Sequence, residues 1–184
     1  MSERPVLMML CGAPGAGKTT FYESKLKTVF PTILKASSSP LEQTEIKRER
    51  RRLQKEKQSF VYQDVVPDVR IACDAQAAGF DINVIYIGTE DPNLNIGRIL
   101  IRVIHGGAFA PLARVASNFE QGVRLLRRIS KQVEDLMLFD NTPNGRGVNL
   151  IAHFQNGKLV KTARAVPKWA QAVLDSKIGR RPAI

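Results

Sequence analysis

Residues 5–11, Pro-Val-Leu-Met-Met-Leu-Cys, form an unbroken apolar run. That pattern predicts a strand buried on both faces. The run passes directly into Gly12, with no small-residue cleavage site, so it reads as a first strand and not as a signal peptide. A loop follows, then a helical segment over about 18–30 that Pro31 stops. Residues 32–36, Thr-Ile-Leu-Lys-Ala, suit a short second strand. Ser39-Pro40-Leu41-Glu42 has capping-box spacing with proline at the first helical position, which predicts a helix over about 40–57. Its apolar stripe is thin (Leu41, Ile46, Leu53), so most of this helix faces water.

Further along, residues 59–64 (Ser-Phe-Val-Tyr-Gln-Asp) predict another buried strand, and a helix over about 66–78 ends at Gly79. Residues 81–89 form a strong strand, and residues 93–105 a helix that halts at Gly106-Gly107. A long helix over about 111–136 leads to a strand end at 136–141. An Asn156-Gly157 turn then joins two strands as a hairpin, and a short helix begins near Pro167. Strands alternating with helices imply an α/β fold with a mostly parallel sheet flanked by helices, plus a C-terminal β-hairpin. One domain is expected over 1–184, with a core at about 5–145 and the hairpin and terminal helix at about 148–176.

Composition narrows the partners. There are 28 basic and 17 acidic residues, a net charge of +11, which attracts polyanions: nucleotides, sugar nucleotides, nucleic acid or an acidic protein. At 43% hydrophobic the chain can build a core without staples. Cys11 and Cys73 are expected as buried free thiols, which fits a reducing, cytoplasmic setting. No apolar stretch approaches the roughly 20 residues that cross a bilayer, so no membrane role is expected.

The segment Gly12-Ala13-Pro14-Gly15-Ala16-Gly17-Lys18-Thr19 matches G-x-x-x-x-G-K-[ST] between a strand and a helix. Backbone N–H groups of such a loop, extended by Thr20, converge on phosphate oxygens at a helix N-terminus. Lys18 is placed to reach the outer phosphates and Thr19 to coordinate Mg²⁺. Arg98 and Arg102, four apart on one predicted helix, share a face and suit a phosphate clamp or lid, with Arg114 beyond the glycine break. Asp64 ends a predicted strand, on the edge where open α/β sheets bind ligands. Three roles stay open for it: base toward an acceptor hydroxyl, Mg²⁺ ligand through water, or turn and helix cap before Val66-Pro67. Asp140-Asn141 is equally suited to turn chemistry and to catalysis. His105 and His153 stand apart without metal spacing and read as structural or surface residues. Residues 47–57 carry seven basic and two acidic side chains, net +5, which reads as a solvated face or as a site for an acidic partner or nucleic acid. They lack the aromatic residues that stack bases.

In order, the pieces GAPGAGKTTF, SFVYQDVVPD, AGFDINVIYIGTEDPNLNIGRILIRVIHGGAFAP, FEQGVRLL and FDNTPNG resemble the zeta-toxin family of P-loop kinases, over about residues 6–145. The resemblance implies a P-loop NTPase three-layer sandwich and a kinase using ATP and Mg²⁺. Better-known members phosphorylate the sugar 3′-hydroxyl of UDP-N-acetylglucosamine or related UDP-sugars and act as toxins paired with an antitoxin protein. Carried onto this chain, Lys18 and Thr19 match the phosphate and Mg²⁺ positions, and Arg98 and Arg102 match the arginines of the lid-bearing helix. The chain departs from the family on the acceptor side. Lys35-Ala36-Ser37 stands where the family has its catalytic Asp, and Gln63-Asp64 replaces a Glu-Thr pair. Ala108 replaces a His, and Asn118, ahead of Phe119, replaces an Arg. The expectation is a small-molecule kinase acting on a nucleotide-sugar or nucleotide-like hydroxyl, with Asp64 as substitute base. Two further readings stand beside it: an ATP-dependent binding module with weak transfer, and a nucleic-acid binder or nucleic-acid-end kinase.

Overall fold

Along strand β1 (Val6–Cys11) the side chains part by twos: Leu7, Met9 and Cys11 enter one core, Met8 and Leu10 the other. A computed structural model describes residues 4–130, 132–142 and 147–175. In it β1 belongs to a seven-stranded sheet. The other strands are β2 (Ile33–Lys35), β3 (Phe60–Gln63), β4 (Asp81–Gly88), β5 (Asp135–Asp140), β6 (Asn149–Gln155) and β7 (Lys158–Thr162), in the order β2-β3-β1-β4-β5-β6-β7, so β1 lies between β3 and β4. The first five strands are parallel and the last two add antiparallel through the hairpin. Asn156 and Gly157 take φ values of 47° and 75° at its tip, the left-handed pair that an Asn-Gly turn supplies.

The two faces of the sheet are covered unequally. One face receives α2 (Pro40–Lys55), α3 (Val69–Ala77), α5 (Val115–Ile129) and α6 (Lys168–Asp175) through Leu53, Ala72, Ala75, Leu126, Ile129, Trp169 and Val173. The other receives α1 (Lys18–Phe21) and the π-helical turn that continues it over Tyr22–Leu26. The wider turn brings Phe21, Tyr22 and Leu26 together against Met8 and Leu10. Helix α4 (Pro92–Ile104) lies over the end of the sheet, with Asn95 and Ile99 as its buried residues.

Several expectations change in detail. Ser39 precedes α2 with Pro40 at the first helical position, but its hydroxyl makes no cap bond, so no capping box forms. Leu41 is 80% exposed, and only Ile46 and Leu53 of the expected stripe turn inward. Helix α3 begins at Val69 because Asp68, not Asp64, caps it, accepting from the N–H groups of Arg70 and Ile71 at 2.8 and 3.4 Å. The long helix ends at Ile129 and not at 136, and it starts as α-helix at Val115 after a 3-10 turn. The cause is a change of period: Leu136 and Leu138 alternate inward with strand spacing beside β4. Cys11 is buried as expected, whereas Cys73 lies exposed on α3. Within the described residues, no helix is long and apolar enough to cross a membrane. The expectations that fall on residues 143–146 of the FDNTPNG piece, on residue 131 and on residues 176–184 lie outside the described residues.

Candidate functional site

The glycine loop leaves β1 at the carboxyl edge of the sheet, and α1 starts from it at Lys18. Two of its glycines are required by neighbours. Gly15 has φ +80°, and a Cβ there would lie 2.5 Å from the carbonyl oxygen of Asn95 on α4. Gly17 has φ +98°, and its Cβ would lie 2.5 Å from the amide nitrogen of Asn141. The loop is therefore pressed between α4 and the end of β5, and only glycine permits both the contact and the backbone turn. Ala13 and Ala16 are buried beneath it, Pro14 is half-buried, and Thr19 and Thr20 face outward.

Lys18 is buried at the root of the loop, its ammonium donating to the carbonyls of Gly12 at 2.5 Å and Ala13 at 3.2 Å. Burial pulls its pKa down to about 8, the nearby Cys11 and Asp64 oppose the shift, and the positive charge of Arg102 adds to it. Lys18 is thus influenced by the Asp64 carboxylate and by the Arg102 guanidinium of α4. Arg98 is tied down: its guanidinium donates to the carbonyl of Asn141 at 2.8 Å. Asn141 in turn donates from its side-chain amide to the carbonyl of Ala16 at 2.8 Å. The arginine expected as a clamp therefore also fixes the loop through one intermediate residue. Behind it, Thr89 donates to Asn95 at 2.8 Å, and both are fully buried.

Asp64 follows β3 and accepts from the N–H of Val65 at 2.6 Å, so it is a turn residue as well as a site residue. Its carboxyl pKa is raised, first by burial and then by the negative charge of Asp68, against the lowering effects of the Val65 N–H and Lys18. On its other side Asp64 lines a cleft of about 910 Å³ between α2 and α3. Ala36 and Ser37 after β2 and Tyr62 on β3 form its base; Gln43, Lys47, Arg50, Arg51 and Gln54 of α2 form one wall, and Asp68, Arg70 and Asp74 the other. Ser37 is committed locally, its hydroxyl accepting from the N–H of Ser39 at 3.0 Å.

Other candidates are placed elsewhere. Asp140 is buried and structural: its Oδ1 accepts from the Trp169 indole N–H at 3.1 Å and the Thr142 hydroxyl at 2.7 Å. His153 pairs with Asp135 at 2.5 Å across the β5–β6 ladder, and His105 caps the end of α4 in solvent. Arg114 is exposed and lines no part of the cleft. Sequence reasoning missed Asp68 and Asn95 as parts of the site, and named Arg50 only within the basic segment 47–57 and Asn141 only beside Asp140 as turn or catalytic chemistry. Pro67-Asp68 ahead of an apolar helix is a readable cap signal. The places of the other three depend on partners from distant segments.

Thr19 and Asp64 provide oxygen donors only, which fits Mg²⁺, an ion that takes one or two protein oxygens and fills the rest with water and phosphate.

No protein-family model matches the sequence, and no curated protein matches it. Solved structures do. A chain of the AvrRxo1-ORF1:-ORF2 complex with ATP is similar at a TM-score of 0.63 and 14% identity, over 95% of this chain and 64% of that one. The PezAT chromosomal toxin–antitoxin system of Streptococcus pneumoniae matches at a TM-score of 0.60 and 15% identity, over 95% of this chain and 86% of that one. A putative kinase from Chloroflexus aurantiacus matches at 0.50 and 17% identity, over 62% and 80%. The chain thus spans under two thirds of the AvrRxo1 complex chain it matches. The shared property is the α/β P-loop kinase fold, and the zeta-toxin resemblance holds at the level of that fold.

Proposed function

We propose that the chain is an ATP- and Mg²⁺-dependent kinase that transfers a phosphoryl group to a hydroxyl of a small nucleotide-sugar or nucleotide-like acceptor. The observation that carries this reading is the position of Asp64. Its charge acts on Lys18 on one side and it lines the α2–α3 cleft on the other, which supports a place for it between donor and acceptor.

In this reading the N–H groups of residues 12–19 cradle the phosphates of ATP. Lys18 exchanges its bonds to the loop carbonyls for bonds to phosphate oxygens, and Arg102 adds positive charge from α4. Thr19, with Asp64 through water, would hold Mg²⁺, which supplies charge neutralisation between the outer phosphates. Asp64 accepts the proton of the acceptor hydroxyl as that oxygen bonds to the γ-phosphorus and the bridge to ADP breaks. Its raised pKa makes it a stronger base than an exposed carboxylate.

The test is incubation with ATP, Mg²⁺ and a panel of UDP-sugars, nucleosides and oligonucleotides, read by mass spectrometry for the gain of one phosphate. Asp64→Asn is expected to lower transfer by about 10²–10⁴-fold while ATP still binds. Equal turnover of the two proteins rules out Asp64 as base. ATP bound with no transfer to any acceptor supports the binding-module reading instead.

The AvrRxo1-ORF1:-ORF2 complex and the PezAT toxin–antitoxin system extend the proposal to a toxin held by an antitoxin protein. Expression of the chain should then arrest growth, and Lys18→Ala should relieve the arrest. Normal growth on expression of the unaltered chain refutes this part.

A further inference from the structure

The +5 segment of α2 is not a uniform solvated face. Positions 43, 47, 50, 51 and 54 recur at helical spacing, and all five line the cleft. The opposite side of the helix has neutralised itself. Arg52 is held between Glu49 and Glu56, each at 2.6 Å. The cleft side is answered only in part. Arg50 is only 11% exposed, and its one ion pair among the described residues, with Asp74 across the cleft, spans 3.6 Å, beyond hydrogen-bond distance. The other terminal nitrogen of Arg50 is buried with no hydrogen-bond partner among the described residues, and so is the side-chain nitrogen of Gln54 one turn on. A buried guanidinium with an unanswered N–H is costly unless a ligand completes it. Its planar fork matches two oxygens of a phosphate.

We infer that Arg50, flanked by Lys47 and Arg51 on α2, is the specificity-determining group of the acceptor cleft and selects acceptors that already carry a phosphate. The inference rests on the kinase reading for its word "acceptor", but the anion site stands on its own geometry. The cleft is polarised: Lys47, Arg50 and Arg51 line it from α2, while Asp64, Asp68 and Asp74 line the opposite side, where the one cation, Arg70, is paired with Asp68 at 3.7 Å. An acceptor with a phosphate at one end and a hydroxyl at the other can enter in one orientation, phosphate toward Arg50 and hydroxyl toward Asp64. Tyr62 on β3 also lines the cleft, the pKa of its phenol pushed up to about 12 by burial and by the Asp64 charge, against the Arg50 charge.

Two measurements on the full chain test this. In the first, the glycine loop is filled with a non-hydrolysable ATP analogue and inorganic pyrophosphate is titrated in by calorimetry. Binding should weaken about 10- to 100-fold in Arg50→Gln, the range expected for losing charged hydrogen bonds, and stay unchanged in Arg52→Gln. No binding to the unaltered chain, or equal affinity in Arg50→Gln, overturns the site. Should Arg50→Gln fail to fold by circular dichroism, Arg51→Gln replaces it, with a several-fold loss expected and no loss overturning the inference.

The second compares phosphoryl transfer to a nucleoside, its 5′-monophosphate, a sugar acid and an oligonucleotide bearing a 5′-hydroxyl. The monophosphate should lead the nucleoside in kcat/KM by about tenfold or more, and Arg50→Gln should erase that lead through KM. Equal rates overturn the phosphate selection, as does a preference for the sugar acid or the oligonucleotide. No transfer at all, with pyrophosphate binding and its dependence on Arg50 intact, sinks the kinase reading and retains the anion site.

Discussion

Asn141 holds the glycine loop with one amide. Its side-chain nitrogen donates to the carbonyl of Ala16, its main-chain carbonyl accepts from Arg98, and its main-chain N–H donates to the carbonyl of Gly88. Asn141→Asp replaces the donor to Ala16 with a carboxylate that repels that carbonyl. The expected cost is about 1–3 kcal/mol in denaturant melts, with weaker ATP binding in calorimetry. Unchanged stability and affinity would show that the loop is held elsewhere. Gly15→Ala should lose ATP affinity as well, because the added Cβ meets the Asn95 backbone at a φ that alanine avoids. The two thiols should separate cleanly. Cys11 is fully buried at the end of β1, and burial raises its pKa well above the usual thiol range, whereas Cys73 is exposed. Alkylation of the folded chain should therefore add one label, at Cys73, and the second only after unfolding. Two labels under native conditions would contradict the burial of Cys11.

Helix α6 shows how a late element secures an early one. Trp169 is buried against β4, where a Cβ on Gly88 would lie 2.5 Å from the indole ring, and its N–H satisfies buried Asp140. Trp169→Ala removes the ring and leaves that carboxylate without the indole donor. The expected loss is about 3–5 kcal/mol, measured by chemical denaturation. A loss under 1 kcal/mol would mean that α6 is not part of the cooperative core. Asp140 illustrates a limit of local reading. A strand-end Asp beside an Asn suits turn chemistry and catalysis alike, and the indole that decides between them arrives 29 positions later. Helix α5 shows the same limit at its end, whereas the start of α3 follows from the adjacent Asp68. A period of 3.6 marks their interiors, but pairing with β4 decides where the last parallel strand takes over from α5.

The arrangement of the chain as a unit follows from strand order. Placing β1 between β3 and β4 puts the glycine loop beside both Asp64 and α4, and the β2–β3 crossover carries α2 to the cleft. If the loop is the nucleotide site, Lys18→Ala should abolish most ATP affinity in calorimetry; an unchanged Kd would refute the site. The alternating strands and helices, the hairpin turn and the glycine loop were all legible in the sequence, because each rests on neighbouring residues: an apolar run, an Asn-Gly pair, a run of glycines before Lys-Thr. Folding decided what depends on distant segments. It turned Arg98 into a support for the loop and Asp140 into a partner of Trp169. It divided one basic helix into a self-neutralised side and a cleft side with an unsatisfied guanidinium, because helical spacing sorts charges by face but only the opposing wall supplies or withholds their partners.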